Sequence, residues 1–253
     1  MAESIGSDAQ RYDHARPSYP ASLVERIVAG RSGLSALDVG CGTGIAARQL
    51  QAAGCAVLGI DPDERMAAYA RERGLDVEVA TFEEWDPAGR RFDLVTAAQS
   101  WHWVDPALGA RKVAEVLNPG GRLAIFSHVL EPPEDIAAAF TEALRRVVPD
   151  SPFNAQSGPA LETYEEGYAA IADSIRETEA FEGVERWRFD WTKSYSRDEW
   201  LALLPTTGGL TQLPADKLTE ILKSVGAAID VRGGSFTMEY VTLSATGRRS
   251  GSR

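Results

Sequence analysis

Strand-like and helix-like segments alternate along the first half of this chain, which predicts an α/β fold on a doubly wound, mostly parallel sheet. Three observations carry that expectation: short apolar runs at 36–39, 56–60, 77–80, 92–97 and 123–127, helical periods between them, and a glycine-rich turn after the first run. Runs of this kind mark strands buried on both faces, because helices cover both sides of a parallel sheet.

Leu23, Ile27 and Val28 recur at helical spacing after Tyr19-Pro20, and the helix stops at Gly30. The first strand ends at Val39, the turn runs from Gly40 to Gly44, and a helix over 45–53 is closed by Gly54. A second strand ends at Asp61, and a helix over 64–73 is capped by Gly74. Two further strands follow, then a helix over 108–117 that Asn118-Pro119-Gly120-Gly121 terminates before the fifth strand.

After Leu130 the rhythm changes. Ile136, Phe140, Leu144 and Val147 share one face of a helix over 134–148, a Pro/Ser/Gly-rich loop follows, and a helix runs from about 161 to 180. Trp187, Phe189 and Trp191 alternate in a strand over 185–195, and Ser196 to Glu199 form a capping box. A helix over 214–229 and a strand over 236–243 complete seven strands. The expected division is an arm and helix at 10–34, a core at 35–130, a helical lid at 131–181 and closing elements at 182–245, all one domain within 1–253. Residues 1–10 and the tail from Thr246 are small and polar, and are expected to fray.

Composition narrows the function. With 44% hydrophobic and 25% charged residues, the chain is an ordinary globular protein rather than a disordered or fibrous one. A net charge of −11 and no basic stripe argue against a nucleic-acid partner. Cys41 and Cys55 have no metal or CxxC spacing and read as buried thiols in a reducing compartment, so no metal is expected. The acidic start MAESIGSDAQ lacks a signal-peptide core, and no apolar run reaches the roughly 18 residues of a membrane span. A soluble, cytoplasmic monomer or homodimer without a membrane partner is the expectation.

The chemistry concentrates in Leu37 to Gly44, LDVGCGTG. A dinucleotide site uses G-x-G-x-x-G with a pyrophosphate on the helix N-terminus. Here Gly40, Gly42 and Gly44 give G-x-G-x-G, Ile45 follows, and Asp38 precedes the turn where it would repel a pyrophosphate. A ligand with an ammonium group and no phosphate fits this pattern better.

The motif [DE]-x-G-x-G-x-G, the acid ending the second strand, Tyr12-Asp-His-Ala-Arg16-Pro-Ser-Tyr-Pro20, Trp101-His-Trp-Val-Asp105 and Asn118-Pro-Gly-Gly121 occur in one order. Together they resemble the class I S-adenosylmethionine-dependent methyltransferases, and within them the small-molecule branch that contains trans-aconitate methyltransferases. That resemblance covers about residues 10–130 and implies a Rossmann-like sheet whose last strand is antiparallel.

It also implies a cofactor, S-adenosyl-L-methionine, held by Tyr12, Arg16, Asp38, Gly40, Gly42, Gly44, Asp61, Pro62, Phe82, Glu83 and Gln99. Asp38 would orient the amino-acid end, Asp61 the ribose hydroxyls, and Pro62, Phe82 and Glu83 the adenine. Tyr19, Trp101 and His128 are candidates to face a small-molecule acceptor, with the aromatics Phe140, Phe153, Tyr164, Tyr168, Trp187, Trp191 and Trp200 available to wall it. His14, His102 and His128 are all expected at the carboxyl edge of the sheet, and His102 is the first candidate for a catalytic base. The competing readings are methylation of a protein or RNA, a nicotinamide-dependent oxidoreductase, and a binding module without catalysis.

Overall fold

The computed structural model describes residues 8–149 and 160–251. Its centre is a seven-stranded sheet in the order β3-β2-β1-β4-β5-β7-β6. Strands β1 (Ser35–Val39), β2 (Ala56–Asp61), β3 (Asp76–Val79), β4 (Phe92–Ala98) and β5 (Leu117–Glu131) pair in parallel. Strand β7 (Ser235–Arg249) lies antiparallel between β5 and β6 (Phe181–Ser196). The strand order reverses direction between β1 and β4, which opens a crevice at the carboxyl ends of those two strands.

Helices α2 (Ala21–Val28), α3 (Ile45–Ala52) and α4 (Glu64–Glu72) supply one covering layer. Leu23, Ile27, Ala47, Leu50, Ala67 and Ala70 pack there with Ala36, Leu94, Ala124 and Phe126 of the strands. Helices α5 (Pro106–Val116) and α7 (Ala160–Glu177) supply the other, burying Val113, Val116, Tyr168, Ala172 and Ile175 against Leu37, Val95 and Ile125. A third core joins α6 (Glu134–Val147), α8 (Arg197–Leu203) and α9 (Ala215–Val231) to the end of the β6–β7 hairpin, around Tyr195, Trp200, Ile221 and Phe236. The capping box at Ser196 and Glu199 is present at the start of α8.

Two expectations are corrected. The tail does not fray at Thr246: β7 continues to Arg249, Thr246 is buried opposite Ala124, and its hydroxyl donates to the Leu123 carbonyl at 2.7 Å. Pairing on both sides by β5 and β6 orders polar residues that look like a tail in isolation. At the other end, residues 1–7 lie outside the described residues, whereas Ala9–Ala15 form a helix, α1, capped by Asp8. Among the described residues of the segment 131–181, none lines the crevice as a lid would. Its α7 buries an apolar stripe on a sheet face, and its α6 packs on α9. The expected Phe153 lies outside the described residues.

Candidate active site

A cavity of about 580 Å³ fills the crevice. Its floor is the turn after β1. Gly40, Gly42 and Gly44 all have positive φ, and two of them are fixed by different needs. A Cβ on Gly40 would stand 2.4 Å from the Ser100 Cβ, so only glycine lets the turn pack under β4's end. A Cβ on Gly42 meets nothing within 4 Å, so there the missing side chain leaves open space at the cavity wall.

Asp61 closes the turn. Its Oδ2 accepts the Gly42 amide at 2.7 Å and its Oδ1 accepts the Asp63 amide at 2.9 Å. Burial raises its pKa, and the two amide bonds oppose that rise. Beyond it the wall continues through Pro62, Met66, Thr81, Phe82 and Glu83.

Asp38 sits deeper. It has no exposed surface and is absent from the cavity lining; its Oδ1 accepts the Thr96 hydroxyl at 2.7 Å and its Oδ2 has no partner. Burial, partly offset by that hydrogen bond and reinforced by Asp61, pushes its pKa up to about 7. It does not bond the amides of Gly40, Cys41 and Gly42, which the Ile60 carbonyl and the Asp61 carboxylate satisfy instead.

Gln99 and Ser100 line the far side. Gln99 holds φ at 59°, a left-handed conformation unusual for its type, at the strand end where β4 leaves the sheet. Such positions tend to be retained where the surroundings over-determine them, commonly at binding sites.

The arm supplies the roof. Tyr12, Arg16, Pro17 and Tyr19 all line the cavity, with the Arg16 guanidinium 5.0 Å from the Tyr12 ring centre. Arg16 Nη2 donates to the Thr206 carbonyl at 2.6 Å, Nε is buried without a partner, and no carboxylate pairs with it among the described residues. On the inner wall His128 stacks on Tyr19 with ring centres 4.3 Å apart.

The charge of His128 follows from its surroundings. Trp191 Nε1 can only donate, and it does so to Thr242 Oγ1 at 2.9 Å. The same hydroxyl lies 2.9 Å from His128 Nδ1, while Nε2 is buried without a hydrogen-bond partner. Burial, with Arg16 adding to it, lowers the His128 pKa to about 3. The ring is neutral at physiological pH.

Of the sequence candidates, Tyr12, Arg16, Tyr19, Gly40, Gly42, Asp61, Pro62, Phe82, Glu83, Gln99 and His128 come together around this one cavity. Gly44 starts α3 just behind it. Three expectations fail on position. The histidines do not cluster: His14 is exposed on α1, bonded to the Gln10 carbonyl, and His102 is exposed beside Trp103 and absent from the lining. Trp101, proposed to face the acceptor, is buried against Gly109 in the sheet core; a turn of helix at 101–103 turns it inward and puts Trp103, 44% exposed, at the cavity instead. Of the later aromatics available to wall the site, none of those described lines it: Tyr168, Trp187, Trp191 and Trp200 pack in the cores, and Leu130, Leu203 and Tyr240 stand at the cavity. Tyr240 was legible only as part of an alternating strand.

Comparison with known proteins places a methyltransferase-domain family on residues 37–125. A methyltransferase of uncharacterized role from Mycobacterium tuberculosis is 28% identical over 228 residues, covering 89% of this chain and 85% of the relative. A ubiquinone biosynthesis O-methyltransferase from Bradyrhizobium is 37% identical over 101 residues, 37% of this chain and 40% of that one. Among solved structures, a protein of Anaeromyxobacter dehalogenans provisionally assigned as a type II methyltransferase superposes with a TM-score of 0.67 at 24% identity, over 94% and 99% of the two chains. That likeness supports the fold.

Proposed function

We propose that this chain, an enzyme of the methyltransferase class with S-adenosyl-L-methionine as its cofactor, methylates a small molecule that carries a carboxylate. The class follows from the domain on residues 37–125 and from relatives named for that activity. One continuous sheet carries all the described elements, which supports treating them as a single methyltransferase domain.

One observation carries the cofactor assignment to these residues: the Gly42 amide is already bonded to the Asp61 carboxylate. The amide that a pyrophosphate would need is occupied by a fixed negative group, so the turn disfavours phosphates and suits a cationic nucleoside. The residues fit such a ligand. The open space at Gly42 admits a ligand against the backbone, and Asp38 Oδ2, buried without a partner, leaves an unsatisfied polar atom beneath it. Asp61 retains lone pairs for ribose hydroxyls, and Pro62, Phe82 and Glu83 would flank the base. When bound, the cofactor supplies a methyl group on a positively charged sulfur.

The protein's own part is alignment and exclusion of water. Tyr12, Arg16 and Pro17 cover the cavity from above, while Gln99 and Ser100 line its far side. Arg16, with no acidic partner among the described residues, is the group to hold an acceptor carboxylate. Burial lowers the pKa of His128 and makes it a weak base, which fits an acceptor that is already ionised. Two relatives, the ubiquinone biosynthesis O-methyltransferase and a demethylmenaquinone methyltransferase, are named for small molecules and support that scale of acceptor. No helix of the described residues is long and apolar enough to cross a membrane.

Calorimetry with S-adenosylhomocysteine and with NADH tests the reading: heat is expected with the first and none with the second. Transfer of a labelled methyl group across a panel of carboxylic acids then tests the acceptor. Activity in that panel that Arg16→Leu lowers at least tenfold supports a carboxylate; activity only on RNA or protein overturns it.

A further inference from the structure

Helix α1 covers the cavity, yet none of its residues is buried. Seven residues are too few to form a stable helix in water without help from packing. Apart from Ala15, which packs against the third core, what holds this one is polar. On one side Arg16 donates to the Thr206 carbonyl. On the other, Asp13 Oδ1 accepts Arg48 Nη2 at 2.6 Å, and its Oδ2 lies 3.6 Å from Arg73 Nε at the end of α4.

Arg48 faces two ways. It stands on α3, the helix that the glycine turn opens, and its Nη1 donates to the Thr43 carbonyl of that turn at 2.6 Å. A single guanidinium therefore ties the floor of the cofactor site to its roof. The pair is partly shielded, with the Asp13 side chain 12% and the Arg48 side chain 31% exposed, so it is less screened than the surface pairs elsewhere on the chain. Asp13 lies between Tyr12 and Arg16, the two arm residues that line the cavity on α1 and just after it.

We propose that Arg48 and Asp13 form a latch that positions α1 over the cofactor and sets the rate at which the site opens. Arg48 is a positioning residue here, acting through the arm and the turn. This rests on the methyltransferase reading for the identity of the ligand, whereas the latch itself concerns only the arm. Elements held by a few polar contacts and little apolar burial open at low free energy, so the loss of one good ion pair shifts the equilibrium measurably. Release of the spent cofactor requires that opening.

The test uses the full chain with Asp13→Asn, Arg48→Gln and Arg48→Lys. Hydrogen exchange of residues 9–15 in ligand-free protein reads the latch directly. Exchange about three- to tenfold faster in Asp13→Asn and Arg48→Gln, partly restored in Arg48→Lys, is expected for a half-buried pair. Stopped-flow dissociation of S-adenosylhomocysteine should accelerate by the same factor, with association changed less. Unchanged exchange in Asp13→Asn overturns the latch, even if Arg48→Gln weakens binding, because Arg48 would then act only on the Thr43 carbonyl. Wild-type protein that binds no S-adenosylhomocysteine overturns the cofactor reading and leaves exchange to decide the latch. The charge swap Asp13→Arg with Arg48→Asp should recover slower exchange than either single change.

Discussion

Asp61 Oδ2 accepts the Gly42 backbone amide at 2.7 Å, so the carboxylate that ends β2 fastens the turn that follows β1. The same bond shapes the loop and sets its electrostatic preference. Removing it therefore has two consequences. Asp61→Ala should lower affinity for S-adenosylhomocysteine about 10- to 100-fold, the range for losing charge-assisted hydrogen bonds, as read by calorimetry. Asp61→Asn should fall between the two, since it keeps an acceptor but loses the charge.

Two of the turn glycines, Gly40 and Gly42, should separate by phenotype. Gly40→Ala forces a methyl group to 2.4 Å from Ser100 Cβ at φ +66°, and should destabilise by about 2–4 kcal/mol in denaturant unfolding. Gly42→Ala meets open space, so its cost should be only about 1 kcal/mol of backbone strain. Its effect should appear in binding, as a loss of tenfold or more, because the methyl group occupies the cavity wall.

Asp38 should give stability an inverse pH dependence. Its folded pKa of about 7 lies above the ordinary 3.8, so the folded chain holds a proton there that the unfolded chain has lost. That contribution is complete below about pH 4 and is lost as pH rises through 7, for a total on the order of 4 kcal/mol. Relative to Asp38→Asn, wild-type stability should decline steadily from pH 4 to pH 8 in melting experiments. A parallel pair of curves would show that Asp38 stays ionised.

His128 should act in the opposite sense. Its folded pKa of about 3 lies below the ordinary 6.5, so its contribution is complete above 6.5 and is lost as pH falls toward 3. Relative to His128→Gln, wild-type stability should fall between pH 6.5 and pH 4. Thr242→Val, which removes the hydroxyl bonded to His128 Nδ1, should alter the ring's NMR signature without unfolding the chain.

His102 should be dispensable. It is exposed and stands outside the cavity lining, so His102→Gln should leave methyl transfer within about twofold on any acceptor the carboxylate panel identifies. A tenfold loss would reinstate it as a base.

Much of the site was readable before any fold was known. Gly40, Gly42, Asp61, Phe82 and Gln99 sit at strand ends, and periodicity locates strand ends well. Around the turn at 101–103 the expectation fails, because two residues of helical rotation separate the buried Trp101 from Trp103 at the cavity. The segment 131–181 failed for another reason. An amphipathic helix covering a sheet face and one closing over a pocket have the same apolar spacing, and only the partner distinguishes them.

The amino-acid order by itself determined the alternation of strands and helices, the phosphate-averse glycine turn and the acid ending β2, because each depends on residues within one or two turns of chain. Tertiary structure alone decided which histidine meets the cavity, that β7 threads between β5 and β6, and that Arg48 spans from Thr43 to Asp13. These depend on contacts between residues tens to more than a hundred positions apart. No local pattern records them, since their energy comes from packing surfaces that exist only once the sheet has formed.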